Sequence, residues 1–122
     1  MASLADRVFD NGLSVLDTEA NRIDITSQEV TTYAEATSTY TLGNSTTLSI
    51  GAPADRTGGG REVTVGAVSD ATVTGSGTAS FYAITNGSDT LYVTGDLTTA
   101  QVVATGNSFS LGSFTIGIPD PA

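Results

Sequence analysis

From Arg61 onward, the chain consists of short segments in which apolar and polar residues alternate, separated by turn-forming Gly, Asn and Asp residues. Val63 and Val65, for example, alternate with Glu, Thr and Gly. A period of two places one set of side chains on each face of a strand, so these segments predict half-buried β-strands. Abundant Thr favours strands, and the 14 Gly residues favour turns. We therefore expect a mainly β fold, an antiparallel two-layer β-sandwich of Ig-like or jelly-roll-like form, with one short N-terminal helix.

The clearest hairpin is predicted for Ala79 to Thr94, with its turn at the Asn-Gly-Ser-Asp sequence of residues 86–89. Gly95-Asp96 is expected to end this hairpin, and Val102-Val103 to belong to a separate strand. The pattern therefore predicts two moderately short strands here, followed by a third.

The alternation also predicts which residues of this hairpin face the core. If Phe81, Leu91 and Val93 belong to the core, Tyr82 and Tyr92 face outwards and form a cross-strand pair. Such a pair would either stabilise the sheet or contact a partner. Over the whole chain, the expected core residues are Leu13, Leu16, Ile23, Ile25, Leu48, Ile50, Val63, Val65, Val73, Phe81, Ala83, Leu91, Val93, Phe109, Leu111, Phe114 and Ile116.

The apolar residues near the end of the chain change phase. Phe109 and Leu111 fall on odd positions, whereas the apolar residues of the 114–118 segment fall on even positions. Because strand faces alternate with period two, one continuous strand would turn its apolar residues from one face to the other. A β-bulge at Gly112-Ser113 would restore a single buried face, and two strands separated by a tight turn are the alternative.

The N-terminal segment is the region that favours a helix. A helix capped by Asp10 would align Leu13, Leu16 and Ala20 as an apolar stripe. Asn11-Gly12 fits a hairpin turn as well, so a short hairpin remains the alternative.

The 122 residues are enough for one domain and too few for two ordinary ones. Residues 1–21 are expected to form an N-terminal arm and helix, and residues 22–118 the β-sandwich. Within the sandwich, strands are expected at 22–26 and 47–50, a turn at Gly43-Asn44, and loops at 27–38 and 51–60. The first of these loops is expected to contain at most one helical turn, around Tyr33 to Ala36. Residues 119–122 include Pro119 and Pro121 and are expected to form an extended tail.

The chain is strongly acidic, with 13 Asp and Glu residues, four Arg residues and no Lys or His, giving a formal net charge of −9. Binding of nucleic acid or of an anionic membrane needs a basic surface, so this balance argues against both. No apolar run approaches a membrane span, and Met1 to Val8 lack the apolar core of a signal peptide. We therefore expect synthesis in the cytoplasm.

The composition argues against catalysis. Without His or Cys, the common nucleophile–base pairs and zinc sites cannot form. A pair of carboxylates could hydrolyse glycosides, but the sequence offers no aromatic platform for a sugar and scatters its candidates, which are Asp24, Glu29, Glu35, Asp55 and Glu62. Calcium ligands are conceivable at turn residues Asp70, Asp89 and Asp96, yet no EF-hand spacing occurs. We predict no enzyme, cofactor or metal.

The segment Asp55 to Arg61 contains three consecutive glycines and superficially resembles a phosphate-binding loop. It lacks the Lys and the following Ser or Thr of a P-loop. The sequence therefore favours a flexible connector flanked by salt-bridging charges, with a loop that orders against a partner protein as the functional alternative.

Several motifs resemble those of short proteins encoded in the structural regions of bacteriophages and prophages. In that group, a short helix precedes an R-I-D-I-x-S strand and a T-T-Y-A-E-A loop; here R-I-D-I-T-S lies at 22–27 and T-T-Y-A-E-A at 31–36. The similarity covers nearly the whole chain, and the further stretches that fit are Tyr40 to Asn44, Gly77 to Ile84, Leu91 to Gly95 and Phe114 to Pro121.

The resemblance implies a virion component without catalytic residues. Its size and β content resemble those of capsid decoration proteins, which bind the outside of the major capsid protein lattice, often as trimers or by bridging neighbouring subunits. We therefore expect a capsid-surface location and a dimer or trimer; a tail, head-fibre or glycan-binding adhesin domain is the alternative. The candidate contact regions, chosen for flexibility and position, are the N-terminal arm and residues 27–39, 55–61 and 119–122. The candidate partner contacts are Tyr33, Tyr40, Arg56, Arg61, Tyr82, Tyr92, Pro119 and Pro121.

Overall fold

A computed structural model describes residues 6–118 of the chain. Helix α1 spans Asp6–Glu19, and a π-helical segment spans Glu35–Thr39. The strands are β1 (Arg22–Thr26), β2 (Thr41–Ser45), β3 (Ala54–Asp55), β4 (Arg61–Val65), β5 (Val68–Val73), β6 (Gly77–Thr85), β7 (Leu91–Val103), β8 (Ser108–Leu111) and β9 (Phe114–Ile118). Antiparallel sheets pack against each other beside an N-terminal helix, so the prediction of a mainly β sandwich is confirmed.

The larger sheet has six strands in the order β7-β6-β1-β2-β5-β8, and the smaller has the order β3-β4-β9. Although β7 and β8 lie at opposite ends of the larger sheet, only residues 104–107 connect them. In a flat sheet, five strand spacings would separate these edges by about 24 Å. Instead, the Gln101 side chain donates a hydrogen bond to the carbonyl oxygen of Ser110 at 3.2 Å. The larger sheet is therefore rolled, so that Gln101 near the end of β7 comes close to β8.

The main core lies between the two sheets and α1. Ile23, Ile25 and Ile84 of the larger sheet are fully buried, as are Val63 and Val65 of the smaller one. This arrangement confirms the predicted alternation in β1 and β4. Because each fully buried aliphatic side chain contributes about 1.5–3 kcal/mol, this layer provides much of the folding free energy.

Helix α1 covers one side of this core. Leu13, Leu16 and Ala20 are buried, which confirms the predicted apolar stripe. The helix runs through Asn11-Gly12, so the hairpin alternative is wrong. It already includes Asp6, the first described residue, which places Asp10 inside the helix, where it cannot be the cap.

The predicted turn at Gly43-Asn44 is wrong, because both residues lie within β2. A Cβ atom at Gly43 would come 2.7 Å from the carbonyl oxygen of Thr72 and 2.9 Å from the ring of Phe109. Glycine therefore permits close packing of β2 here and does not mark a reversal. The predicted strand at 47–50 is also absent, since only Ile50 forms an isolated bridge, to Val65. The expected loop at 51–60 contains the two-residue strand β3.

The phase change near the end of the chain separates two strands that belong to different sheets. β8 pairs with β5 in the larger sheet, and β9 pairs with β4 in the smaller one. Phe109 and Leu111 therefore reach the core from one sheet, and Phe114 and Ile116 from the other. The bulge is wrong and the two-strand alternative is correct, because Gly112-Ser113 carries the chain between sheets.

The predicted hairpin is confirmed in its pairing and its turn. The side-chain oxygen of Asn86 accepts hydrogen bonds from the backbone N–H groups of Ser88, Asp89 and Thr90 at 2.9–3.1 Å. However, β7 continues without a break through Gly95-Asp96 to Val103. Along the way Ala79 pairs with Gln101 and Phe81 with Asp96, so residues 97–100 bulge out opposite a single residue of β6.

The assignment of faces in this hairpin is wrong. Tyr82 and Ile84 pair with Ile25 and Ile23, and both pack in the main core. Phe81 lies on the opposite face and is only half-buried. A second irregularity places Tyr92 as an extra residue, so Leu91 and Val93 do not share a face. The alternation of apolar and polar residues gave the wrong core-facing side because both faces of β6 are partly covered.

Residues 27–40, which we call the outer segment, cover the face of β6 that points away from the main core. A hydrogen bond from the N–H of Ser27 to the carbonyl of Tyr40 closes the segment at 3.1 Å. Beneath it, Val30, Ala36 and Ala83 form a separate buried cluster against which Tyr40 and Leu91 pack. The expected loop is therefore a structured cover that includes the π-helical segment.

Most of the remaining predicted core residues are buried; Leu48, Ile50, Val93, Phe114 and Ile116 are partly buried against the main cluster. The core residues that the prediction omitted are Val30, Ala36, Leu42, Val68, Ala71, Ala79, Ile84 and Val103.

Candidate functional site

The side of the sandwich where β7 faces β9 is the best candidate for a functional site. Each of these strands lies at the end of its sheet's strand order, and no described strand pairs with the outer edge of either. Two cavities open along this side, one polar and aromatic and the other apolar. We call this region the β7–β9 side.

The polar cavity has a volume of about 440 Å³ and forms where the β7 bulge lies opposite the crossover between β8 and β9. β7 contributes Asp96, Leu97, Thr99 and Gln101, and the crossover contributes residues 111–115. Because a bulge redirects side chains that a regular ladder would hold in line, it creates space between the sheets at this point.

Two aromatic rings from different sheets meet in this cavity. The centroids of Tyr82 and Phe114 are 4.7 Å apart, with an interplanar angle of 48°. The Tyr82 ring reaches this position by crossing β7 over Gly95, where a Cβ atom would come 2.6 Å from its hydroxyl. Glycine at 95 therefore allows a side chain of β6 to reach the cavity. Sequence reasoning found no aromatic platform, because this pair exists only through the packing of the sheets.

The polar groups of the cavity are largely unengaged. Neither the carboxylate of Asp96 nor the hydroxyl of Tyr82 forms a hydrogen bond with a described residue. Burial, with a smaller effect of the nearby Asp96 charge, raises the pKa of Tyr82 above its ordinary value. Gln101 uses its amide N–H toward Ser110, which leaves its carbonyl oxygen as an acceptor.

The apolar cavity has a volume of about 360 Å³ and lies between α1, the start of β7 and the end of β9. Val15, Tyr92, Val93, Ile116 and Ile118 are partly exposed along it. Together the two cavities give the β7–β9 side an apolar half and a polar half.

Of the predicted partner contacts, Tyr82 and Tyr92 lie on this side but do not form the expected cross-strand pair. Tyr82 pairs with Gly95 along the ladder and points toward Phe114. Tyr92 donates a hydrogen bond from its hydroxyl to the carboxylate of Glu19 at 2.9 Å. Both residues border cavities and are half-buried.

Tyr33 and Tyr40 belong to the outer segment, which connects β1 to β2, and neither lines the two cavities of the β7–β9 side. Both are half-buried, and Tyr40 packs against the cluster beneath that segment. Both tyrosines therefore contribute to the packing of the outer segment, and their contact with a partner stays a prediction.

Arg56 and Arg61 frame the glycine loop beside the smaller sheet. Arg61 forms an ion pair with Asp55 at 2.6 Å, and Arg56 donates a hydrogen bond to the carbonyl of Gly59 at 3.0 Å. Gly58, Gly59 and Gly60 all have φ near +90 to +103°, a region that only glycine adopts readily. The salt-bridging flank predicted from the sequence is thus present. Pro119 and Pro121 lie outside the described residues.

The carboxylates considered for catalysis or metal binding do not converge. Asp24 is fully buried and paired with Arg22, while Asp89 caps its own turn through Asn86 and Thr90, which lowers its pKa. Among the described residues, no three acidic side chains lie close enough to hold a metal ion. Asp96 alone of this set faces a cavity.

Comparison of the chain with protein-family models, curated proteins and solved structures found no match. Within residues 6–118, none of the helices has the length and apolar character that crossing a bilayer demands. The site therefore has to be interpreted from its own chemistry.

Proposed function

We propose that this chain is a non-catalytic structural protein of a bacteriophage particle, which decorates the outer surface of the major capsid protein lattice and stabilises the head. The observation that carries the proposal is the β7–β9 side, where two unpaired strand edges border an apolar cavity. The resemblance of its motifs to those of phage structural proteins is the reason for proposing a phage particle as its location.

An unpaired strand edge exposes backbone N–H and C=O groups that can pair with a strand from another chain. Proteins that avoid such pairing place Lys or Pro on the edge. β7 has 13 residues, with Asp96 as its single charged residue and no Lys or Pro. Irregularities at Tyr92 and at residues 97–100 interrupt the edge, leaving Val93 to Asp96 as the regular stretch for strand addition.

The acidic charge supports a position on the outside of a particle. A net charge of −9 disfavours proximity to packaged DNA and keeps a solvent-facing surface soluble. Many copies bound to a lattice, as dimers or trimers, would stabilise it together even if each contact were weak.

The test is the copy number of this protein in purified particles, measured by quantitative mass spectrometry against the major capsid protein. A simple ratio that corresponds to hundreds of copies supports decoration. A handful of copies would assign the chain to a tail, head fibre or adhesin, and absence from the particle would overturn the proposal.

A matched pair of variants tests the edge itself. Thr94 is half-buried in the regular stretch of β7 and belongs to neither hydrophobic cluster, so Thr94→Lys places a positive charge on this edge. Thr46→Lys makes the same change of charge at an exposed residue between β2 and β3. We expect Thr94→Lys to lower occupancy on particles and Thr46→Lys to leave it unchanged; equal occupancy would rule out docking through this part of β7.

A further inference from the structure

We propose that the polar cavity of the β7–β9 side binds a cationic side chain, arginine in particular, that a partner protein presents beside its docked strand. This inference rests on the proposed function in that it names the chemistry of the partner. The binding site itself is a property of the isolated chain and is tested on it.

The aromatic pair provides one half of the recognition. Tyr82 and Phe114 line the cavity with their rings tilted at 48°, so a flat cation can lie against a ring face. A guanidinium stacks on aromatic rings and is attracted by their negative faces. This attraction strengthens where water is partly excluded, as it is between two sheets.

The acceptors of the cavity provide the other half. The Asp96 carboxylate has no hydrogen-bond partner among the described residues, and Gln101 of the same strand lines the cavity with its side-chain carbonyl oxygen available as an acceptor. Thr99, Ser113 and Thr115 add hydroxyl oxygens around the cavity. A guanidinium has five N–H donors and no acceptor, so it matches a set of acceptors that surrounds one carboxylate.

The chain does not satisfy this cavity with a described cation of its own. Arg22 is paired with Asp24, Arg61 with Asp55, and Arg56 bonds to Gly59. None of these arginines lines the cavity. Because no described cation lines the cavity, phosphate or carboxylate ligands are disfavoured.

The size and the overall charge agree with this assignment. The volume of about 440 Å³ lies within the range of roughly 300–1,000 Å³ that is typical of ligand sites. The net charge of −9 attracts a basic partner segment and raises its association rate.

The experiment is an NMR titration of the full ¹⁵N-labelled chain with N-acetyl-arginine amide, and separately with N-acetyl-citrulline amide, which has nearly the same shape but no charge. We expect the arginine derivative to shift the backbone amides of Asp96, Gly112, Ser113 and Thr115. The citrulline derivative should shift them little at the same concentration.

Asp96→Asn should weaken binding of the arginine derivative about tenfold, since it removes a charge-assisted hydrogen bond. Asp17→Asn is the matched control, because Asp17 is exposed on α1 and its replacement changes the net charge equally. We expect the control to bind as the parent chain does. A dispersed amide spectrum checks that each variant is folded.

Equal shifts with citrulline, or equal weakening by Asp17→Asn, would overturn the inference, because either result means attraction without a specific cation site. Titration with maltose provides a further arm. Shifts at the same amides with maltose but not with arginine would also overturn it and assign the cavity to a neutral sugar. None of these results depends on particle copy number, so failure here is distinguishable from failure of the proposed function.

Discussion

Strand β1 is buried on both faces, but the two faces are held by different chemistry. On the inner face, Ile23 and Ile25 pack into the apolar core between the sheets. On the outer face, the fully buried Asp24 accepts hydrogen bonds from Arg22 at 2.8 and 3.0 Å and from Thr41 at 2.7 Å. Ala83, which pairs with Asp24 along the ladder, packs against Val30 and Ala36 of the outer segment on this face.

The two faces of β1 therefore place different requirements on the residues that cover them. Apolar burial is non-directional, so the inner face tolerates any close packing of the right volume. A buried carboxylate is tolerated only when it is paired and hydrogen-bonded, so the outer face requires particular partners in particular places. We expect the inner face to provide stability and the outer face to specify how the outer segment is placed.

The largest effect is expected at the inner face. Ile25 is fully buried, so Ile25→Ala should lower the free energy of unfolding by about 4 kcal/mol through lost burial and the resulting cavity. Urea denaturation followed by circular dichroism measures the change. A loss below about 1 kcal/mol would mean that this face is not the centre of the core.

At the outer face, Asp24→Ala should destabilise the chain by about 3 kcal/mol, because it leaves Arg22 without its buried partner. Arg22 retains 21% side-chain exposure, which limits the loss, since water can reach the guanidinium. In an Arg22→Ala background the same substitution should have a smaller effect. If the two losses are simply additive, the ion pair does not couple these residues.

A smaller effect separates the sequence-based assignment of faces from the observed one. The alternation placed Phe81 in the core, but Phe81 is half-buried and lies on the outer face. Phe81→Ala should therefore reduce the stability by about 1 kcal/mol, against the 3–5 kcal/mol typical of a core phenylalanine. Ile84→Ala on the inner face, compared by thermal unfolding, should have the larger effect.

The smallest effect is a pH dependence within the outer segment. The carboxylate of Glu35 accepts hydrogen bonds from the backbone N–H and hydroxyl of Thr31, which lowers its pKa below the ordinary 4.5. A lowered pKa contributes stability above pH 4.5 that is lost as the pH falls through the folded-state value. The Tm difference between the parent chain and Glu35→Gln should therefore shrink as the pH falls below 4.5.

Glu29→Gln is the control for that measurement, since Glu29 is exposed in the same segment and forms no hydrogen bond with a described residue. Its Tm difference from the parent should not follow the same course. Parallel curves for the two variants would show that the Thr31 bonds are not the cause.

Elements with a clear local pattern were predicted well. The stripe of Leu13 and Leu16 and the alternation of Val63 and Val65 lie within single elements, so neighbouring residues determine which side is buried. β6 was assigned the wrong face because the outer segment buries part of its second side, and alternation cannot rank two buried faces. Gly43 was taken for a turn because a glycine needed for close packing has the same sequence signature as one needed for reversal.

The candidate site could be predicted only in part. The phase change around Gly112-Ser113 marked the position of the crossover, and the structure decided that it joins two sheets. The meeting of Tyr82 with Phe114, and the opening beside the β7 bulge, had no local signal because they depend on register and on the rolling of the larger sheet.

By itself, then, the sequence determined the mainly β class, the helix, the principal hairpin and the acidic surface, since all four follow from residue type and short-range periodicity. Only the tertiary structure decided which strands share a sheet, which face of β6 meets the core, and where β7 and β9 leave a cavity between them. Those features arise from contacts between residues distant in the chain, whose free energies depend on packing geometry that no local pattern encodes.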